Sequence, residues 1–239
     1  MIPKVIHYCW FGRNKKSKSM LRCMESWKRY CPDYEIIEWN EDNFDINCIP
    51  FVKEAYKAEK WAFVSDYARL KVIYENGGIY LDTDVELVKS LDDLLELEAY
   101  AGIEGEEYVA TGLGFGAVKG QSLIKELMCD YHSRHFSLES IKELACPIIN
   151  TEVFKRYGFV SGGGKQTVAG VTLFPCEYFN PKNSQTYELN ITKNTYSIHH
   201  YDATWNNKHS GIKQAVIRLC VKIIGKEGLM KLKARLNKK

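Results

Sequence analysis

The sequence lacks any apolar run that could cross a membrane, because none approaches the roughly 18 residues that a spanning helix needs. It lacks a CxxC pair, although eight cysteines are scattered along it, so a zinc knuckle or thioredoxin-type motif is not supported. No long apolar stretch with a small-residue cleavage site opens the chain, and we therefore expect no signal peptide. A cytoplasmic, reducing location with free thiols is the expectation that follows.

A strong excess of one charge sign is also missing, since the net charge of the 239 residues is only +3. That balance gives no reason to expect a nucleic-acid partner. The 45% apolar and 13% aromatic residues are typical of a folded domain with a sizeable core. The sequence shows no internal repeat, and we expect residues 1–210 to form one domain.

The charge is distributed unevenly, because residues 211–239 carry a balance of +8 and the remaining residues one of −5. Apolar residues recur at helical spacing in this segment, with lysines and arginines between them. We expect a basic amphipathic helical tail, which either packs on the domain with solvated lysines or lies on an anionic membrane surface. Gly225 and Gly228 interrupt the pattern, so two short helices fit as well as one.

Strand and helix patterns alternate along residues 1–210, which favours an α/β fold. The patterns predict strands at 4–10, 34–39, 79–81, 113–118, 167–174 and 196–200. They predict helices at 19–31, 51–58, 60–75, 121–132 and 138–145. This order predicts a Rossmann-like, mostly parallel central sheet flanked by helices.

Two aspartates, Asp82 and Asp84, directly follow the short predicted strand at 79–81. Ligands of open α/β sheets bind where strands end, and buried carboxylates there need a cationic partner. Two acids spaced by one residue can offer oxygens to one hard divalent ion, Mg²⁺ or Mn²⁺. An Asp-x-Asp pair by itself is more often a solvated turn, so its context carries the prediction.

A second charged pair, Asp66 and Arg69, lies on the predicted helix at 60–75, which is apolar around most of its circumference. Residues three apart share a helix face, so a local ion pair is the simplest interpretation. Charges on a largely buried helix nevertheless need further partners, and sugar hydroxyls or phosphate would supply them.

Three segments together resemble the sugar-transferring domain of glycosyltransferase family 32. More distantly, they resemble the glucosylating clostridial toxins and the family 8 galactosyltransferases. The segments are IPKVIHYCWFG at 2–12, WAFVSDYARLKVIYENGGIYLDTDV at 61–85 and IHHYDATW at 198–205. The resemblance implies a GT-A fold, a nucleotide-sugar donor (a UDP-sugar first, with GDP-mannose users also in the family), a divalent metal and retention of anomeric configuration.

The resemblance also implies roles for individual residues. Asp82 and Asp84 would bind the metal, and these two with Asp66 and Arg69 would form the catalytic set. The donor would be bound by residues from all three segments: Trp10 stacked on the base, Ser65 near the ribose or sugar, Asp66 and Arg69 on the sugar hydroxyls, Tyr80 beside the nucleotide, and Thr204, Trp205 and Lys208 at the diphosphate.

The late block contains two adjacent histidines, His199 and His200, where the family pattern places a metal ligand. Successive residues of a strand point to opposite faces, so only one of the two can reach the cation. We prefer His200, with His199 as the alternative.

The activity that the resemblance implies is transfer of a hexose or N-acetylhexosamine to a glycan or lipid-linked oligosaccharide in capsular or surface polysaccharide synthesis. Front-side attack by the acceptor needs no enzyme nucleophile, although Glu104, Glu106 and Glu107 are candidates by location.

A metal-dependent sugar nucleotidyltransferase would share the paired acids, but it usually has a Gly-rich phosphate loop near its N-terminus. A carbohydrate-binding domain would not need both aspartates and a late histidine.

Overall fold

A computed structural model describes residues 1–201 except 163, 184, 185 and 187, together with residue 225. Nine strands are described: β1 Val5–Cys9, β2 Glu35–Trp39, β3 Gly78–Tyr80, β4 Val85–Leu87, β5 Ala99–Glu104, β6 Tyr108–Ala117, β7 Gln166–Val168, β8 Val171–Phe174 and β9 Ser197–His199. Six α-helices accompany them: α1 Lys18–Tyr30, α2 Pro50–Lys57, α3 Trp61–Asn76, α4 Ser122–His132, α5 Cys146–Arg156 and α6 Cys176–Phe179.

Seven strands form one sheet in the order β2-β1-β3-β6-β5-β8-β7. The pairs β1–β2, β1–β3 and β5–β8 are parallel, whereas β6 and β7 pair antiparallel with their neighbours. Five of the seven strands therefore run in one direction, as predicted for a mostly parallel sheet. The α/β architecture predicted from the sequence is confirmed.

Helices cover both faces of this sheet, and each face has its own apolar core. Neighbouring residues of β3 show the division, because Tyr80 packs into one core and Ile79 into the other. Helices α2 to α5 contribute to the first core, and α1 contributes the fully buried Trp27 to the second. A sheet covered on both faces explains why β3 lacks a polar side.

Helix α3 is buried around most of its circumference and ends at Gly77, whose φ is 71°. A side chain at Gly77 would bring its Cβ to 2.9 Å from the backbone nitrogen of Lys119. Glycine therefore allows both the positive φ and the close approach at this turn. The chain then enters β3 directly, which fixes the position of the Asp-x-Asp pair at the end of that strand.

Strand β4 lies outside the main sheet and pairs antiparallel with β9, so that Val85 is opposite His199. The ladder continues one step further, because the His200 amide donates to the carbonyl oxygen of Asp84 at 3.0 Å. This long-range pairing brings the late histidines to the end of β3.

Two predicted elements were wrong. The stretch 138–145 forms turns, and the helix begins at Cys146 with a proline in its first turn. The stretch predicted as one strand at 167–174 is a hairpin of β7 and β8, because Ala169 and Gly170 both have positive φ and reverse the chain.

Among the described residues, no helix is both long and apolar enough to cross a membrane. The seven described cysteines are free thiols. Apart from residue 225, the predicted basic tail lies outside the described residues.

Candidate active site and metal centre

A cleft of about 690 Å³ opens where β1 and β3 end. Most of the sequence-predicted site residues that the structure describes line it: Trp10, Ser65, Asp66, Arg69, Asp82 and Asp84. The cleft therefore joins the N-terminal segment, α3 and the Asp-x-Asp turn, as the resemblance implies. Thr204, Trp205 and Lys208 lie outside the described residues.

Asp82, Asp84 and His199 form a cluster in this cleft, with ligand-type atoms all within 4.8 Å of one another. Nε2 of His199 lies 3.3 Å from Oδ1 of Asp84. Neighbouring ligands of an octahedral ion with bonds of about 2.1 Å lie about 3 Å apart, so this spacing fits one shared cation. Two carboxylates and one imidazole form a donor set for a divalent metal.

The structure brings His199 to the aspartates, and not His200, which the sequence interpretation preferred. His200 instead pairs with Glu86, with 2.7 Å between Nε2 and Oε2. The register explains this, since Glu86 is a diagonal neighbour of His200 on one face of the β4–β9 ladder. Asp84 does not follow the alternation of side chains between the two faces of the ladder, because it lies in a turn. The hydrogen bond from the Val85 amide to the Asp82 carbonyl, at 3.0 Å, closes that turn.

Arg69 connects α3 to the Asp-x-Asp turn. Its Nη2 lies 3.0 Å from Oδ1 of Asp66 and 3.2 Å from Oδ1 of Asp82, and its side chain is only 4% exposed. Its Nε donates to the Ser65 carbonyl at 3.1 Å, which holds the guanidinium in one orientation. The i, i+3 ion pair predicted on α3 is confirmed, and the further partner is Asp82.

Tyr80 is not among the residues that line the cleft, and its expected place beside the nucleotide stays a prediction. The side chain is 1% exposed, and its hydroxyl donates to Oδ1 of Asp82 at 2.9 Å. The guanidinium of Arg69 lies over the ring, 4.9 Å from its centroid. Tyr80 therefore positions Asp82 and Arg69 from the core, beneath the floor of the cleft.

Burial raises the pKa of Asp66 to about 7, with Arg69 opposing the shift and Asp82 adding to it. Burial likewise raises the pKa of Asp82, although Arg69 opposes it. Burial lowers the pKa of His199, but the carboxylates of Asp84, Asp82 and Glu104 raise it, and the net shift is upward. Crowded acids in a desolvated cleft favour a bound cation, which removes the cost of their charges.

The sequence interpretation missed two residues at the floor of the cleft. A Cβ at Gly112 of β6 would lie 2.7 Å from Oδ2 of Asp82 and 2.9 Å from Nη1 of Arg69, so only glycine leaves room for that pair. Cys146, the first residue of α5, lies with Sγ 3.3 Å from Oγ1 of Thr111 and 3.8 Å from Nη1 of Arg69. Glycines inside a strand signal close approach, and this sign was available at Gly112.

Residues 17–101 match the model of a protein family described as "Glycosyltransferase sugar-binding region containing DXD motif". The chain is 27% identical over 131 residues to inositol phosphoceramide mannosyltransferase 3 of Schizosaccharomyces pombe, covering 53% of this chain and 36% of the relative. It is 28% identical over 160 residues to lactosylceramide 4-alpha-galactosyltransferase of Mus musculus, covering 62% of this chain and 42% of the relative. The solved structure of PaToxG glycosyltransferase superposes with a TM-score of 0.53 at 18% identity, covering 65% of this chain and 69% of that one.

The described chain has a GT-A fold. The resemblance to DXD-containing glycosyltransferases is thereby confirmed, and Asp82-Thr83-Asp84 lies within the matched region. The chain spans less than half the length of the two curated relatives, at 36% and 42%.

In this GT-A fold, Trp10 follows β1 and forms part of the rim of the cleft. Its Nε1 donates to the carbonyl of Asn14 at 2.7 Å, and the ammonium of Lys16 lies 5.2 Å from the ring centroid. The indole is thus fixed in place, which suits stacking on a flat heterocycle.

Of the three glutamates considered as nucleophiles by location, Glu104 lines the cleft and accepts a hydrogen bond from the Tyr201 hydroxyl at 3.1 Å. Glu106 and Glu107 lie exposed in the turn between β5 and β6. The structure therefore leaves Glu104 as the acid of this hairpin that faces the site.

Proposed function

We propose that this chain is a metal-dependent retaining glycosyltransferase that moves a hexose or N-acetylhexosamine from a nucleotide sugar to a glycan acceptor. The observation that carries the proposal is the Asp82, Asp84 and His199 cluster in the same cleft as the buried Asp66–Arg69 pair. A cation beside a guanidinium and a half-buried aromatic rim suits a ligand that has a diphosphate, a sugar and a base.

The donor set of the cluster fits Mn²⁺ well. Carboxylates suit Mg²⁺ and Mn²⁺, whereas an imidazole ligand favours transition-metal ions, so a mixed set points to Mn²⁺ first and Mg²⁺ second. Asp84 and His199 would hold the ion directly, and Asp82 would complete the set of protein ligands. When bound, the ion supplies Lewis-acid stabilisation to the leaving diphosphate.

The residues of the chain orient the donor. Asp82 is fixed by Tyr80 and Arg69, so its carboxylate faces the cleft without rearrangement. Arg69 is fixed in turn by Ser65 and Asp66, and Asp66 lines the cleft where it can accept from sugar hydroxyls. The Ser65 hydroxyl donates to the Trp61 carbonyl at 3.0 Å, and both residues line the cleft. Positioning of this kind lowers the barrier by removing the entropy cost of alignment.

Retention is proposed to proceed by front-side attack of the acceptor, with the leaving phosphate taking the acceptor proton. In that scheme Glu104, whose carboxylate accepts a hydrogen bond from the Tyr201 hydroxyl, forms no covalent bond to the sugar. Double displacement through Glu104 is the competing route, and it requires a covalent glycosyl-enzyme. Mass spectrometry of the protein quenched during turnover distinguishes the two, because a trapped glycosyl-Glu104 adduct would overturn front-side attack.

The donor is proposed to be a UDP-sugar, and the acceptor a lipid-linked oligosaccharide of capsular or surface polysaccharide synthesis. Both curated relatives are named for acceptors that contain ceramide, which supports a lipid-linked acceptor class. Their names differ in the sugar transferred, mannose and galactose, so the identity of the sugar is open to direct measurement.

A screen of donor hydrolysis tests this function. The purified chain, incubated with Mn²⁺ and each of a panel of UDP- and GDP-sugars, is expected to release free sugar slowly from one donor and to stop when a chelator is added. Release of pyrophosphate from a sugar phosphate and a nucleoside triphosphate would instead identify a nucleotidyltransferase. Sugar binding that is indifferent to chelator, with no hydrolysis, would identify a carbohydrate-binding domain.

We also propose a cytoplasmic location at the inner face of the membrane, reached through the basic segment 211–239. The +8 balance of that segment supports binding to anionic lipid. Flotation with liposomes of anionic lipid tests it: the full chain is expected to float and a chain ending at residue 210 to stay at the bottom. Equal behaviour of both would remove the membrane proposal.

A further inference from the structure

Five polar side chains are buried together at the floor of the cleft and directly behind it. They are Asp66 and Arg69 of α3, Thr111 of β6, and Cys146 and Asn150 of α5, each at most 7% exposed. Polar groups persist in a core when they satisfy one another. The proposed function uses the two residues of α3 and leaves the two of α5 without a role.

Cys146 is the centre of this group. Its Sγ lies 3.8 Å from Nη1 of Arg69, 3.3 Å from Nδ2 of Asn150 and 3.3 Å from Oγ1 of Thr111. Guanidinium and amide nitrogens only donate, so the sulfur accepts from both. The thiol hydrogen goes to Asp66: burial raises the pKa of that carboxyl, and a hydrogen bond from Cys146 acts in the opposite direction.

The thiol keeps its hydrogen at neutral pH. Burial raises the pKa of Cys146 to about 12, and the Asp66 carboxylate adds to the shift while Arg69 opposes it. A buried thiol that stays protonated is a poor nucleophile. Hydrogen bonding, and not covalent or redox chemistry, is therefore what this side chain contributes to the cleft.

Cys146 completes the set of partners around the Arg69 guanidinium. Nε donates to the Ser65 carbonyl at 3.1 Å, and Nη2 lies 3.0 Å from Asp66 and 3.2 Å from Asp82. The sulfur of Cys146 is the partner of the remaining nitrogen, Nη1. Because the guanidinium is planar, contacts on all three nitrogens fix its plane as well as its position.

Asn150 fixes the cysteine in turn. The two residues are one helical turn apart, so they share a face of α5. The amide of Asn150 donates to Cys146 and, at 3.1 Å, to Oγ1 of Thr111, and its side chain is fully buried. The first turn of α5 is thereby tied to β6 and held against α3.

We propose that Cys146, held by Asn150, is a positioning residue that fixes Asp66 and Arg69 for binding of the donor sugar. The inference rests on the proposed function, in which Asp66 and Arg69 bind sugar hydroxyls. Loss of the thiol would then weaken binding of the sugar and spare binding of the nucleoside diphosphate. Asp82 keeps its hydrogen bond from the Tyr80 hydroxyl in that case, so the metal cluster is expected to survive.

Calorimetric titration of the full chain in Mn²⁺ with UDP, UDP-glucose, UDP-galactose, UDP-N-acetylglucosamine, GDP and GDP-mannose tests the proposal. For the nucleotide sugar that the wild type hydrolyses, its affinity relative to the parent diphosphate reports the contribution of the sugar. Cys146→Ala is expected to lower this relative affinity at least about fivefold, the effect of one hydrogen bond. Cys146→Ser keeps a donor and an acceptor and is expected to stay within about twofold of wild type.

Cys31→Ala is the matched control, because Cys31 is also a buried thiol and belongs to the second core. It is expected to lower the melting temperature and to leave the relative affinity unchanged. An Asp66→Asn background separates positioning from direct contact. There Cys146→Ala is expected to cost less than about twofold, since residues that act as a unit are not additive.

An unchanged relative affinity in Cys146→Ala, or equal weakening of the nucleotide sugar and its diphosphate, would overturn the positioning role and leave the glycosyltransferase proposal intact. A further loss of about fivefold in the Asp66→Asn background would overturn it too, because Cys146 would then contact the sugar itself. Failure of the wild type to hydrolyse any of these nucleotide sugars would overturn the proposed function, and this inference with it.

Discussion

Nε2 of His199 lies 3.3 Å from Oδ1 of Asp84, although the two residues come from distant parts of the chain. The pairing of β4 with β9 brings them together, and the turn at Asp82–Val85 directs the Asp84 carboxylate toward the histidine. The proximity of these two side chains adds a histidine to the Asp-x-Asp pair, and the three residues form the cluster on which the proposed metal site rests.

The adjacent histidines provide a matched test of this arrangement. His199→Gln is expected to weaken Mn²⁺ binding by at least about tenfold, because one of three protein ligands is lost. His200→Gln is expected to stay within about threefold of wild type, because His200 pairs with Glu86. Calorimetric titration with MnCl₂ measures both. The opposite ranking would return the metal role to His200.

Gly112→Ala is expected to lower the rate of donor hydrolysis by at least about a hundredfold, because displacing Asp82 or Arg69 by even an ångström spoils the alignment. The added Cβ would lie 2.7 Å from Oδ2 of Asp82 and 2.9 Å from Nη1 of Arg69. Steady-state hydrolysis at saturating donor is the measurement.

Gly102→Ala on the neighbouring strand serves as its control. There the Cβ would meet the side chains of Leu113 and Phe179 at 3.3 Å, in the core. This variant is expected to lose some thermal stability and to keep its activity. Near-normal hydrolysis by Gly112→Ala would show that the Asp82–Arg69 geometry is not needed for the reaction.

His7 is expected to make the fold sensitive to mild acid. Nδ1 of His7 accepts from the Trp39 indole at 3.0 Å, so Nε2 carries the hydrogen and donates to the Gly77 carbonyl at 3.1 Å. Burial lowers the pKa of His7 from 6.5 to about 4, although the bond to Gly77 opposes the shift. Between these values the unfolded chain binds the proton and the folded chain does not, so stability falls as the pH drops from 6.5 to 4.

The full effect of this shift is about 3 kcal/mol of unfolding free energy. His7→Gln keeps an acceptor and a donor in the side chain but cannot titrate. Urea unfolding at pH 7.5 and pH 4.5 is expected to show a smaller loss of stability in the variant than in the wild type. Equal losses in the two proteins would assign the acid sensitivity to other groups.

The local elements were predicted best where the hydrophobic periodicity and the residues that end an element agree. Helix α3 is apolar around its circumference and ends at a glycine, so its bounds were predicted to within a residue. The hairpin of β7 and β8 was missed because its reversal depends on a positive φ at Ala169, which alanine does not signal. The start of α5 was missed although Pro147 lies in its first turn, a position that proline favours.

The site was predictable as a set of residues and not as a geometry. The Asp-x-Asp pair, the Asp66–Arg69 pair and a late histidine were identified from motifs, and strand alternation correctly indicated that His199 and His200 point to different partners. The choice between them depends on the register of β4 against β9, a long-range pairing that no local pattern encodes. The burial of Tyr80 beneath Asp82 has the same origin, because it depends on packing across the sheet.

The rate of donor hydrolysis by Asp84→Ala, at saturating donor and Mn²⁺, tests the central claim most directly. Asp93→Ala, an exposed acid paired with Lys89 away from the cleft, is the control and is expected to retain full activity. With a circular dichroism spectrum and melting temperature close to those of the wild type, Asp84→Ala is expected to release no sugar above background. A near-normal rate for Asp84→Ala that persists when a chelator replaces Mn²⁺ would contradict the account.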